Sequence, residues 1–384
     1  QSMARTLTLL CLWFFTAVSC REELRNPAVP SGNRYARGFT IEEHDGYTRL
    51  TVTNPWANAR NVTMEYFLVP AEDSIPGHLA GKTVLRTPVG RIICMSTSHI
   101  AFLEALGETD RITGVSGSQY ISSPKVLQRL KEGTTTDVGY GQNLNYEEMI
   151  RQRPGMVMVY GVDSEIAGFL GKFRDLGIPA VLNAEYLEDS PLGKAEWIRF
   201  IAAFTGSGAL ADSLFRSTEA HYLRLAAQAG PIRQKPGVLV GLPYRDTWWI
   251  PGGASYMARL IGDAGGHHVA RRNSSRESVT ISMEEAVGLS ARASVWIHTG
   301  NATSRAEIAA ADSRLSRLPA FEKARIFNNN KRTTPGGGND FWESGTVRPD
   351  LILEDRSVPF TPESSRKQNS TITGKSGDEI HAYP

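Results

Sequence analysis

Two pairs of adjacent glutamates stand at matching places in two similar segments, NYEEMIRQRPGMVMV from Asn145 and SMEEAVGLSARASVWI from Ser282. In each, a small polar residue lies three positions before the second glutamate, the spacing of a capping box. Glu148 and Glu285 are therefore expected to turn back onto the free amides of a helix start. The first glutamates, Glu147 and Glu284, have no such duty. Negative charge is favoured in a first turn by the helix dipole, so both are expected to be exposed and available to a basic surface. Their chemistry is ion pairing rather than catalysis.

A second set of residues has the chemistry of stacking and hydrogen bonding. Ser96 and Thr97 follow one apolar β-rich run, Tyr120 follows GVSGSQ, Tyr140 lies in VGYGQN, and Tyr160 ends MVMVY. Later, Tyr244, Trp248 and Trp249 occupy LPYRDTWWIPGG, His298 and Thr299 end SVWIHTG, and Arg332 and Trp342 lie in NNNKRTTPGGGNDFWESG. Two adjacent tryptophans in an extended loop cannot both face one core, so one of them is expected to reach solvent or ligand. Together the aromatics suit a large, flat or partly apolar ligand, and Arg332 suits carboxylate or catecholate oxygens. His267-His268 diverge on a helix end or a strand and lack a third partner, so no bare-metal site is expected, and a chelated ligand is favoured over a free ion. No cofactor is implied. TGSGA is not a nucleophile elbow, TPGGGND is not a phosphate loop, and GDAGGHH is not a dinucleotide fingerprint; no enzyme is read here.

The elements that must hold these residues follow from patterning. The chain has 384 residues, enough for two cores. With 42 Lys+Arg against 40 Asp+Glu it lacks the charge bias of a nucleic-acid binder. Residues 1–20 read as a signal: Arg5 precedes LTLLCLWFFTAV, too short a run to span a bilayer with ease, and AVSC resembles a lipobox with Cys20 as the lipidated residue. Residues 21–83 read as a tether and a small N-terminal β-meander with an Asp45-Gly46 hairpin. Strand-and-helix alternation over 84–189 and again over 231–355 predicts two α/β lobes with parallel sheets. Helical spacing over 190–230, with Trp197, Ile201, Phe204, Leu210, Leu214, Tyr222 and Leu225 on one stripe, predicts one long connector, divided by Gly206 and Gly208. The cleft is then expected at the carboxyl ends of the strands. Residues 356–384 read as a disordered tail or as the product of a reading-frame shift near Asp355.

The ordered segments RIICMSTSHIAFLEALGETDRITGVSG, DVGYGQNLNYEEMIRQRPGMVMVYG, LGIPAVLN, AEWIRFIAAF, AGGHHV and ISMEEAVGLSARASVWI resemble the substrate-binding proteins of ABC importers for iron–siderophore complexes, haem and cobalamin, over residues 84–355. The meander and GGGNDFWESG are similar to a branch common among Bacteroidetes lipoproteins. The resemblance implies two Rossmann-like lobes bridged by one long helix, a monomer, a ferric siderophore, haem or cobalamin held between the lobes, and an ABC permease with its ATPase as partner. It places Glu147 and Glu284 as the contacts to the permease arginines. The membrane is reached only through the lipid, in the periplasm or, as CREEL after Cys20 allows, on the cell surface as a scavenger for an outer-membrane receptor.

Overall fold

The structure is a computed structural model that describes residues 32–162, 164–245, 247–360 and 381–382. The signal segment and Cys20 lie outside the described residues. In the N-terminal sheet, β1 (Phe39–His44), β2 (Tyr47–Thr53) and β3 (Thr63–Pro70) are antiparallel, and β4 (Val84–Thr87) joins β3 in parallel. Asp45-Gly46 makes the first hairpin: His44 pairs with Tyr47, and Gly46 takes φ +77°.

The strand entry is clasped rather than loose. Buried Glu196 accepts the amides of Arg34, Tyr35 and Ala36 at 2.9, 2.7 and 2.8 Å, and buried Glu188 accepts those of Arg37 and Gly38, each at 2.9 Å. The tether read over residues 21–35 thus ends in fixed backbone at Arg34 and Tyr35.

The first lobe is a five-stranded parallel sheet of β5 (Ile92–Cys94), β6 (Ile112–Val115), β7 (Thr136–Asp137), β8 (Met156–Val159) and β9 (Ala180–Leu182), in the order β7-β6-β5-β8-β9. Its central strands, Ile-Ile-Cys and Met-Val-Met-Val, are wholly buried, as a parallel sheet covered on both faces requires. Ser96 caps the helix Thr97–Ala105. Its sequence reads as amphipathic, yet Ser98 through Leu103 are all buried. The helix packs against the connector helix Ile198–Thr205 and against Ser344–Val347, so it has little face left for water.

The connector forms as three helices, Pro191–Glu196, Ile198–Thr205 and Gly208–Ala229. Gly206 at φ +77° ends the second helix and resets the phase of the third. Leu210, assigned by spacing to the buried stripe, is consequently exposed, and Ala211 and Phe215 enter the core instead.

The second lobe repeats the design with β10 (Gly237–Val240), β12 (His267–His268), β14 (Val295–Ile297), β15 (Arg325–Asn328) and β16 (His381–Ala382), ordered β12-β10-β14-β15-β16. Between them, β11 (Trp248–Pro251) and β13 (Ser278–Ile281) form a separate antiparallel ribbon. Where an unpatterned tail is read from residue 356, the helix Pro349–Phe360 continues past Asp355, and β16 pairs with β15.

The lobes touch through the glycine-rich loop of the second. A Cβ on Gly338 would stand 2.0 Å from the Tyr120 carbonyl oxygen, and the Thr334 hydroxyl donates to the Gln119 carbonyl at 2.6 Å. Beside them, buried Glu343 accepts the Ser122 and Ser123 amides at 2.7 and 2.8 Å. Burial, opposed by those two amides, pushes its carboxyl up to about 7. A raised acid stabilises the fold in its neutral form: that contribution is whole below the unfolded value near 4.5 and is lost as pH rises through about 7. Glu343→Gln is expected to remove up to ~3 kcal/mol of this decline. Melting temperatures of both proteins between those limits check it, and parallel pH profiles would refute the assignment.

Candidate ligand cleft and docking positions

In open parallel α/β sheets the crevice that takes a ligand lies at the switch in strand order. In the first lobe that point lies between β5 and β8, whose carboxyl ends lead to Ser96 and Tyr160. In the second it lies between β10 and β14, and β14 leads to His298 and Thr299.

The first lobe assembles Tyr120, Tyr140 and Tyr160. The rings of Tyr120 and Tyr140 are 5.1 Å apart, and Tyr160 is hydrogen-bonded to Tyr140. Burial, then the neighbouring Tyr140, raises the Tyr160 phenol above its ordinary value. A hollow of about 280 Å³ opens beside Tyr140 and Tyr160, floored by Val159, Ile166 and Phe173. Behind Tyr160 stands His99, wholly buried, its ring 6.4 Å away. Burial brings this imidazole down to about 3, so it is neutral at physiological pH. Ser96 accepts the Ser98 amide as a cap, and both Ser96 and Thr97 are half-buried.

The second lobe contributes His298 and Trp342, whose rings are 6.2 Å apart, with Phe341 packed edge-on against both. His298 adopts φ +58°, a backbone conformation uncommon outside glycine, which turns the chain sharply at the end of β14. Trp342 is 44% exposed.

Other positions divide. In the ribbon, side chains alternate: Trp249 is exposed, whereas Trp248 is buried, stacks on Trp296 at 6.2 Å and donates to the Val240 carbonyl. Trp248 is thus a core residue and not a ligand contact. Tyr244 is exposed and pairs across a tight turn with Thr247, away from the tyrosine cluster in sequence and sheet. Thr299 is buried, with its hydroxyl unpartnered. Arg332 is held by Asp340 at 2.9 Å, a carboxylate that also accepts the Ser344 hydroxyl, so its charge is already matched within its own loop. His268 is buried between the Pro251 and Val238 carbonyls, while His267 is only partly covered.

Patterning missed the residues between the lobes. Lys194, on the first connector helix, is buried with its ammonium 5.2 Å from the Tyr256 ring centre and 5.6 Å from that of Trp342. Glu185, also buried, accepts the Ser98 hydroxyl at 2.6 Å. In the sequence Lys194 is one charge in a helical run, and nothing there marks it as buried.

The acidic pairs behave differently from each other. At Ser282 the capping box is complete, with Glu285 accepting the Ser282 amide at 2.8 Å. At Asn145 only half forms: the Glu148 amide donates to Asn145, but the Glu148 carboxylate turns forward to Arg151 and Gln152. The reason is that the Asn145 amide is already given to the Val138 carbonyl at 2.8 Å, leaving Glu148 nothing to cap. Glu147 and Glu284 are both exposed, and among the described residues no hydrogen bond or ion pair holds either one.

Two parallel α/β lobes joined by a helical connector make a bilobed fold. The chain belongs to the periplasmic binding protein family, which matches residues 92–333. It is 26% identical over 354 residues to an uncharacterised lipoprotein of Methanocaldococcus jannaschii, covering 86% of this chain and 82% of that one. Its fold is similar to a possible iron-binding (periplasmic solute-binding) protein of Staphylococcus epidermidis, with TM-score 0.56, 19% identity and coverage of 71% and 99% of the two chains. It is also similar to the periplasmic heme-binding protein RhuT of Roseiflexus sp. RS-1, with TM-score 0.52, 20% identity and coverage of 70% and 98%.

Proposed function

We propose that this protein captures a ferric siderophore between its lobes and delivers it to an ABC permease, held at the membrane by a lipid on Cys20. The observation that carries the reading is the aromatic set on opposite lobes, Tyr120, Tyr140 and Tyr160 on one and His298 and Trp342 on the other. Such faces grip a large chelate by stacking and exclude water from it. Trp249 and Tyr244, both exposed on the second lobe, are further candidates for the same stacking. Glu147 and Glu284 offer one exposed carboxylate per lobe to the permease. Haem and cobalamin are the competing ligands for the same space.

Purified protein is exposed to a mixture of ferric siderophores, haemin and cyanocobalamin, and what it retains is read by mass spectrometry and absorption spectroscopy. A retained ferric siderophore is expected, and Trp342→Ala is expected to weaken it by roughly 10-fold or more. Retention of haemin or cyanocobalamin instead would replace the ligand. Retention of nothing would remove the reading.

A further inference from the structure

Lys194 is an anomaly for a structural residue. Only 9% of it is exposed, yet its ammonium has no hydrogen-bond acceptor among the described residues. Buried lysines are ordinarily paired; the Lys194 ammonium instead keeps a route to water, since it is not among the fully enclosed polar atoms that lack a partner. The rings of Tyr256 and Trp342 favour a cation at 5.2 and 5.6 Å, but an aromatic face leaves the ammonium donors without an oxygen.

The neighbourhood is equally unfinished on the acidic side. Glu185 is within electrostatic reach of Lys194, and one of its oxygens takes the Ser98 hydroxyl at 2.6 Å. Its other oxygen is buried without a partner. These two buried groups sense each other's charge, with no salt bridge joining them among the described residues. Trp342 of the second lobe lies against Lys194, and Tyr160 of the first feels the Glu185 charge, so both lobes meet at this pair.

We infer that Lys194 is a ligand contact at the floor of the cleft, donating to an anionic oxygen of the captured chelate, such as a carboxylate or a catecholate. The inference rests on the proposed function and specifies the chemistry of its ligand. The connector residue reads charge, while the aromatic faces on the lobes read size and flatness. Glu185 and Ser98 hold the opposite wall, where a hydroxyl or amide of the same ligand meets the open carboxyl oxygen.

The test compares wild-type protein, Lys194→Met and Lys194→Arg by tryptophan fluorescence titration. The anionic probes are a ferric tris-catecholate and haemin. The net-uncharged probes are a ferric tris-hydroxamate and cyanocobalamin. Lys194→Met is expected to weaken the anionic probe that binds by roughly 10- to 100-fold, the range of one hydrogen bond to a charged group. Uncharged probes that bind should be unaffected, and Lys194→Arg should keep most of the anionic affinity. Should the methionine variant not fold, Lys194→Gln gives the same comparison. Equal affinity of wild type and the neutral variants for anionic probes overturns the inference, as does an equal loss for both probe classes. Wild-type binding of the ferric tris-hydroxamate alone overturns it and leaves the functional reading intact, whereas binding of cyanocobalamin alone overturns it and replaces the ligand of that reading. Binding of none of the four overturns both.

Discussion

Reversing Glu147 and Glu284 together to arginine is expected to abolish delivery of the bound ligand, with uptake down by ~100-fold, while ligand affinity stays within about twofold of wild type. Both carboxylates are exposed, and among the described residues neither is held by a neighbour. Removing them therefore costs the fold little. Each sits in a first helical turn, where the helix start adds its own attraction for negative charge, so arginine there loses only a fraction of a kcal/mol. At a docking surface the same change sets like charges against each other, which costs several kcal/mol. Each single reversal should leave partial delivery, since one lobe still docks. Glu285→Arg is the informative control, because it breaks a complete capping box and lowers stability by ~1 kcal/mol without removing a docking charge. Uptake assays in cells carrying each variant, paired with binding titrations on the purified proteins, read both quantities. Undiminished uptake by the double variant would end the docking assignment.

Much of this frame is legible in the sequence because burial and spacing write it there. Met156–Val159 and Gly237–Val240 are unbroken apolar runs, the mark of parallel strands covered on both faces, and the structure buries all eight residues. The aromatics at strand ends are legible as a set, and the structure brings Tyr120, Tyr140 and Tyr160 together on the first lobe. The errors have physical sources too. Spacing phases Leu210 with residues before Gly206, but a residue at φ +77° starts the helical count again. The helix after Ser96 faces apolar neighbours on several sides, so its polar residues Ser98 and His99 are buried against expectation. Two-residue strands such as Thr136–Asp137 and His267–His268 carry no period to detect. Trp248 and Trp249 lie on a ribbon whose partner strand, Ser278–Ile281, is some thirty residues away, and that pairing alone decides which ring enters the core. Arg332 is neutralised by Asp340, a match made by the loop's path and not by any local motif. Lys194 is the largest omission. Its burial arises where three parts of the chain converge, and no window of sequence contains all three.

Glu196→Ala is expected to destabilise the protein by ~3–5 kcal/mol, the cost of leaving buried donors and a paired charge without their acceptor. One carboxylate, wholly buried, holds the amides of Arg34, Tyr35 and Ala36 and the Arg199 guanidinium, the last at 2.6 Å. No side chain can replace it from nearby, because Glu188 is already engaged with Arg37, Gly38 and the Trp197 indole. Glu196→Gln keeps the shape but offers one acceptor oxygen in place of two, so its loss should be smaller, ~1–3 kcal/mol. Chemical denaturation of the three proteins measures both. The consequence for function turns on the geometry of the short helix Pro191–Glu196. Residues two apart on a helix point to nearly opposite sides, so Glu196 grips the N-terminal segment while Lys194 faces the rings of Tyr256 and Trp342. The helix is thus fixed from behind by the strap and read from the front by ligand. Below its melting transition, Glu196→Ala should bind ligand with nearly unchanged affinity. A loss under ~1 kcal/mol would mean that water replaces the carboxylate at no cost and that the strap is not what holds the floor of the cleft in place.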